Sequence, residues 1–159
     1  MRKLLVRALL TIVVATGSFA IAAAAAPDPA MGTWQLNVSK STFTPGPGNK
    51  SQTRTYSQSG HSITLVVRIV DADGKEMTIQ STYQLDGKDY PITGSPNYDT
   101  ISGKQVASNT ANFTLKKAGK AVATTSRTVS KDGRTLTLRA KGTTAKGEKY
   151  GDVLVFDKQ

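Results

Sequence analysis

Apolar and polar residues alternate along most of this chain. The segment EMTIQSTYQL (76–85) and the segment ANFTLKKA (111–118) both follow this pattern, and the second places Phe113 and Leu115 on one face. Alternation with a period of two predicts β-strands that bury one face, and runs with helical spacing are missing. The chain is therefore predicted to be all-β. The candidate strands lie near 32–38, 51–58, 62–70, 75–85, 89–94, 98–107, 110–118, 120–130, 134–142 and 147–157.

Short turns separate these runs. Asp73-Gly74, Asp86-Gly87 and Asp132-Gly133 are Asp-Gly pairs, which favour tight hairpins because glycine and aspartate tolerate positive φ angles. Successive hairpins form an antiparallel up-and-down meander. An open meander leaves two unpaired edges, so closure into a barrel of eight to ten strands is expected. The apolar VLVF (153–156) is predicted to pair with the first strand and close it.

The first 26 residues have the order of a secretory signal peptide. Arg2, Lys3 and Arg7 precede an apolar run, and small residues end it at Ala22–Ala26. We expect a signal peptide over 1–24, cleaved after Ala24 or Ala26, and a periplasmic or secreted protein without a stable membrane anchor. An uncleaved anchor is the alternative, because the apolar run approaches the roughly 20 residues that span a bilayer. A mobile tail is expected over 25–31 and a single domain over 32–159.

The composition narrows the classes of partner. The chain has no cysteine, which excludes disulfides, thiol catalysis, cysteine-based metal sites and a lipid-anchored lipoprotein. Three of the 21 Lys and Arg residues and none of the 11 Asp and Glu lie in the leader. The remaining charge of about +7 favours solubility or attraction to anionic envelope surfaces. Nucleic acid is not an expected partner of an exported protein.

The segment SKSTFTPGPGNKS (39–51) interrupts the alternation. Its Pro45-Gly46-Pro47-Gly48 excludes regular strand or helix, so a long exposed loop is expected between the first two strands. If the loop lies over one end of the barrel it is a candidate lid, and otherwise it is a plain connector.

The sequence resembles the calycin superfamily, which includes lipocalins and fatty-acid-binding proteins. The features that carry the resemblance are GTW (32–34) opening the first strand, the meander of hairpins and a last strand ending VLVFDKQ. The segments 45–56, 86–100 and 130–143 are similar to small exported bacterial lipocalin-like proteins. The resemblance implies a calycin-like barrel in which Trp34 is structural and fills the closed end. It also implies an arginine packed over Trp34, either Arg127 or Arg139.

The last strand departs from one pattern of these relatives. Many fatty-acid-binding proteins hold their ligand's carboxylate with an inward Arg-x-Tyr in this strand, and Leu154 and Phe156 occupy those positions here. The interior therefore either binds a less charged molecule or is filled by side chains.

Catalysis and metal binding have little support in the sequence. His61 lies at a predicted turn, and Asp71 and Asp73 are turn residues that cap backbone amides. An EF-hand loop starting at Asp71 requires glutamate where Thr82 stands, and no Gly-x-Ser-x-Gly motif is found. We expect no enzyme, no cofactor and no metal site.

A ligand inside the barrel is the first functional hypothesis. It is a small apolar or amphipathic molecule, bound non-covalently. Arg127 and Arg68 lie among small or β-branched residues, so they are buried cations if their faces point inward and solvated wall if they point outward. Tyr90 and Tyr98 form either a pocket mouth or a bulged corner. The proposed lining residues are Leu154, Phe156, Tyr83, Phe113, Arg127 and Arg68, with Tyr90 and Tyr98 at the mouth.

A solid-cored barrel is the second hypothesis. Its basic outer surface would contact anionic envelope polymers or a partner protein.

Overall fold

A computed structural model describes residues 27–144 and 146–159. The expected signal peptide and the start of the expected tail lie outside these residues. Ten strands make up almost all of the regular structure, with one 3-10 turn at Val38–Lys40. The strands are β1 (Gly32–Leu36), β2 (Ser51–Ser59), β3 (Ser62–Val70), β4 (Glu76–Tyr83), β5 (Asp86–Thr93), β6 (Thr100–Ala107), β7 (Thr110–Lys117), β8 (Lys120–Val129), β9 (Thr135–Thr143) and β10 (Lys149–Lys158).

The strands form a closed antiparallel barrel. Each strand pairs with its neighbours in sequence, and β1 pairs with β10 to complete the ring. In that last pairing Trp34 lies opposite Lys158 and Leu36 lies opposite Phe156. The predicted all-β meander, its closure and the role of VLVF as the closing strand are all confirmed.

The interior divides into a packed end and an open end. Trp34, Leu36, Val129, Leu136 and Phe156 are buried together near the β1–β10 closure. Toward the opposite end the inward residues are less completely buried, as Ile69 and Met77 show. The hydrophobic core therefore fills only one end of the barrel.

The shortest strand pairing in the barrel lies between β4 and β5. Only two residue pairs, Gln80–Thr93 and Ser81–Ile92, are formed there. Pro91 lacks the N–H that a ladder needs, and the Ser81 hydroxyl donates to the carbonyl of Pro91 over 2.9 Å. The side-chain hydrogen bond thus links two strands whose backbones pair only briefly.

Residues 28–31 differ from the expected mobile tail. Asp28 and Ala30 are buried, and the Met31 amide donates to the carbonyl of Asp28 over 3.0 Å. The indole N–H of Trp34 donates to the carbonyl of Ala30 over 2.7 Å. Since these contacts are made to backbone groups of residues 28–31, no alternation in the sequence signals them.

The segment between β1 and β2 folds back onto β10. Thr42 forms an isolated bridge with Val153, and the Thr44 amide donates to Asp152 Oδ1 over 3.0 Å. The Gly151 amide in turn donates to the carbonyl of Thr44. These bonds hold residues 42–49 at the open end of the barrel. In the part of the chain that the structure describes, no helix is both long enough and apolar enough to cross a membrane.

Candidate functional site

A cavity of about 370 Å³ occupies the open half of the barrel. Its volume lies within the range of small-molecule sites. Phe43, Pro45, Pro47 and Asn49 of the β1–β2 segment contribute to its wall, so this segment is more than a plain connector. The strands contribute apolar side chains, which are Leu65, Val67, Ile69, Met77, Ile79, Ile92, Ile101, Leu115, Leu138 and Leu154.

The inward face of β2 forms a polar stripe across this apolar interior. Gln52, Arg54 and Tyr56 point inward, and all three line the cavity. The Nε of Arg54 donates to the Tyr56 hydroxyl over 3.0 Å. Its guanidinium carbon also lies 5.8 Å from the Tyr56 ring centre and 5.9 Å from that of Phe156. Aromatic faces stabilise a cation at this range.

Arg127 is the most deeply buried charge in the cavity. Its side chain is 2% exposed and forms an ion pair through Nη2 with Oδ2 of Asp28. The guanidinium carbon lies 5.2 Å from the Tyr56 ring centre and 5.4 Å from that of Phe113. Burial acts to lower the pKa of Arg127, but Tyr56, Tyr83 and Asp28 outweigh it and the pKa is raised. Arginine is protonated at neutral pH, so Arg127 is a buried cation and Asp28 is its counterion.

Three buried donors next to the cavity remain without a partner. Nε and Nη1 of Arg127 and the hydroxyl of Tyr83 have no hydrogen-bond partner among the described residues. Burial raises the pKa of Tyr83, so its phenol is protonated and able to donate. Its ring meets Phe113 edge-on at 5.6 Å. Because buried polar groups normally find partners, these donors point to an oxygen acceptor within the cavity.

The mouth of the cavity is aromatic. Phe43, Tyr98 and Tyr150 line it together with Asp152. Burial raises the pKa of Tyr98, and it raises the pKa of Tyr150 to about 12. Burial also raises the pKa of Asp152, in opposition to the hydrogen bond from the Thr44 amide.

The residues proposed from sequence separate into two groups. Five of them line the cavity, namely Leu154, Tyr83, Phe113, Arg127 and Tyr98. The other three do not: Phe156 points inward but lies in the packed end, Arg68 is exposed, and the hydroxyl of Tyr90 donates to Asp86 outside the cavity.

The positions of Arg68 and Phe156 each have a physical reason. The inward residues of β3 are Ile63, Leu65 and Val67, so the pleat turns Arg68 outward. Phe156 lies opposite Leu36 and Leu136, where the barrel is filled.

The interpretation of Trp34 as structural fits its full burial, but the expected arginine over it is wrong. Lys158, directly opposite in the β1–β10 register, lies 5.0 Å from the Trp34 ring. Arg127 pairs with Asp28 instead, and Arg139 lies on the outer wall. In this barrel the cross-strand neighbour meets the ring, rather than either arginine that the family resemblance implied.

Sequence reasoning missed four residues of this site: Gln52, Arg54, Tyr56 and Asp28. The first three share one face of β2, and their alternate spacing is visible in the sequence. A face of polar residues, however, normally predicts contact with solvent rather than with a barrel interior. Asp28 lies outside every strand, and nothing in the sequence marks it.

The turn residue Asp71 caps backbone amides, as its position in the sequence predicts. Asp71 Oδ1 accepts the amides of Asp73 and Lys75, and His61 lies exposed between β2 and β3. Over residues 27–144 and 146–159, no group of three metal-ligating side chains is close enough to hold an ion.

Comparison with known proteins gives a likeness of structure only. No family model matches the chain, and no curated protein matches it. A crystal structure of Rv2717c from M. tuberculosis aligns with a TM-score of 0.56 at 15% identity, covering 82% of this chain and 93% of that one. Zebrafish ileal bile acid-binding protein complexed with cholic acid aligns with a TM-score of 0.52 at 12% identity, covering 82% and 99%. The fold is a calycin-like barrel.

A redesigned β-barrel, mFAP1, bound to DFHBI also aligns, with a TM-score of 0.43 at 17% identity over 82% of this chain and 95% of that one. The two likenesses with TM-scores of 0.56 and 0.52 establish the barrel fold alone, because the identities are only 15% and 12%. The function must be argued from the cavity.

Removing the carboxylate of Asp28 tests the buried ion pair. Asp28→Ala leaves Arg127 ionised and buried without its counterion, so we expect a loss of about 3 kcal/mol in the free energy of unfolding. Urea denaturation followed by far-UV circular dichroism measures the loss. Asp73→Ala removes the same charge from an exposed turn and is the control. Equal losses in the two variants would contradict the ion pair's role.

Proposed function

We propose that this protein binds a small amphipathic molecule non-covalently inside the barrel. The observation that carries the proposal is the cavity of about 370 Å³, in which apolar walls surround three buried donors without partners. Apolar walls with a few fixed polar groups are typical of small-molecule sites. The likeness to a barrel complexed with cholic acid supports the same class of function. The proposal is of a binding protein and not of an enzyme.

A large side chain introduced at a residue that lines the cavity tests this function. Ala140 lines the cavity on β9, so Ala140→Trp is expected to reduce binding of the neutral dye Nile red at least about tenfold. Thr137→Trp adds the same side chain to the outer face of the same strand and is expected to bind the dye like the unmodified protein. Fluorescence titration measures both. Dye binding that is equal in the two variants, or no binding by the unmodified protein, would refute the proposal.

We also propose that the protein is exported. The basic start, apolar run and alanine-rich end of the first 26 residues support this, and the expected compartment is the periplasm or the extracellular medium. Protein recovered from the cells that make it is expected to begin at residue 25 or 27. An N-terminus at Met1, determined by intact mass, would contradict cleavage.

A second candidate function uses the outer wall. The strands β6 to β9 contain no acidic residue, and apart from the buried Arg127 their basic residues are Lys104, Lys116, Lys117, Lys120, Arg139 and Lys141. The cross-strand register places Lys104, Asn112, Ser126 and Arg139 in one outward row, with Lys141 in the next row. This one-sided charge favours contact with an anionic envelope polymer or an acidic partner protein.

Neutralising this face tests the second function. The first variant replaces Lys104, Arg139 and Lys141 by Gln, and the control variant replaces Lys75, Lys131 and Lys149 by Gln. Each protein is eluted from dextran sulfate beads with increasing salt. The first variant is expected to elute at a lower salt concentration than the control variant. Both variants lose the same charge, so net charge cannot explain a difference. Equal elution would show that the face has no special role.

A further inference from the structure

Arg127, the buried cation of the cavity wall, has a counterion that comes from outside the strands. Asp28 precedes β1, yet its side chain is 5% exposed and pairs with the guanidinium of Arg127 on β8. Other bonds fix Asp28 in place. Its amide donates to Gln58 Oε1 over 2.9 Å, and its Oδ1 accepts the Ala30 amide over 2.8 Å. With both carboxylate oxygens engaged, Asp28 is held against Arg127.

This counterion changes what Arg127 offers to a ligand. An isolated buried arginine attracts an anion, but here the positive charge is already balanced by a carboxylate. The atoms Nε and Nη1 remain as donors, and the neutral Tyr83 hydroxyl adds a third. These groups are suited to an oxygen acceptor without a charge. A ligand carboxylate at the same guanidinium would lie close to Asp28 and be repelled by it.

The remaining inward groups agree with a neutral ligand. On the last strand Leu154 and Phe156 point inward, and the charged residue that β10 contributes to the cavity wall is Asp152 rather than a cation. Arg54 is the other cation of the cavity, and its side chain is half-buried. Its Nε is already bonded to Tyr56, and water screens a partly exposed charge.

We propose that the cavity selects a neutral apolar molecule carrying a carbonyl or hydroxyl oxygen, and that Asp28 is the residue that discriminates against carboxylates. The oxygen accepts hydrogen bonds from Arg127 and Tyr83, while the apolar body lies against the leucine and isoleucine side chains of β3, β4 and β9. The inference rests on the proposed function and specifies the class of ligand.

A matched pair of probes tests the charge preference. Decanol and decanoate have the same chain length and differ in the charge of the head group, and each is titrated against bound Nile red near neutral pH. In the unmodified protein decanol is expected to displace the dye at a concentration at least about tenfold lower than decanoate. Decanoate that displaces the dye as well as or better than decanol would overturn the inference.

Part of decanol's advantage comes from its lower solubility in water, and a variant separates this part from the effect of Asp28. Asp28→Asn keeps the shape and the bond to the Ala30 amide but removes the negative charge. The ratio of the two affinities is expected to shift at least about tenfold toward decanoate. Asp73→Asn removes the same charge from an exposed turn and should leave the ratio unchanged. An unchanged ratio in Asp28→Asn would overturn the role of Asp28.

A pH series provides a test that needs no variant. If the cavity accepts only the uncharged acid, the apparent affinity for decanoic acid rises at least about tenfold between pH 7.5 and pH 4.5, as the ligand's own carboxyl group becomes protonated. Decanol has no titrating group and reports any effect of protonating the protein. An affinity for decanoic acid that changes no more than that for decanol would show that the ionised form is bound, and would overturn the inference.

These outcomes are separable from failure of the proposed function. A protein that binds neither Nile red nor either probe has no interior site, and both proposals fall. A protein that binds Nile red but prefers decanoate has an interior site of the other charge class, and only the inference falls.

Discussion

The pairing of β1 with β10 is the contact on which the rest of the structure depends. Ten strands joined in sequence form a ribbon with two free edges until these strands meet. Their meeting gives the sheet an inside and an outside, so every second side chain becomes interior. It also brings Lys158 over Trp34 and Phe156 beside Leu36, which fills the end of the barrel where β1 starts and β10 finishes. Without a cysteine in the chain, this closure has to be maintained by hydrogen bonds and packing alone.

Closure also explains why polar side chains are found inside. The pleat turns Gln52, Arg54 and Tyr56 toward the axis as strictly as it turns Leu65 and Val67. In a barrel with one packed end, such residues lie at the border of the cavity rather than in the core. Burial at that border is tolerated because Arg127 has a counterion and Arg54 has aromatic neighbours.

The sequence was informative where a repeating pattern existed. Alternation and Asp-Gly turns predicted the strands, their order and the closing pair, because each of those features is local and periodic. The shared faces of Tyr83 and Phe113 with their apolar neighbours followed from the same alternation, whereas the inward position of Leu154 came from the family resemblance. Arg68 was misplaced because a β-branched strand such as β3 has apolar residues on both faces, so alternation cannot say which face is inside. The role of Asp28 could not be predicted, because its ion-pair partner is 99 positions away and no local pattern in the sequence connects the two residues.

The origin of the counterion has a consequence for how such barrels diversify. Interior residues on a strand are constrained by register, since a change in one of them disturbs neighbours on two adjoining strands. Asp28 belongs to a short peptide that obeys no such periodicity, and it nonetheless reaches the deepest cation of the cavity. A single replacement of Asp28 would leave Arg127 without its counterion and add one uncompensated positive charge to this part of the barrel, without any change in the sequence of the ten strands. Under the proposed function, the charge class of the ligand would then depend on a residue that a comparison of the strands alone would overlook.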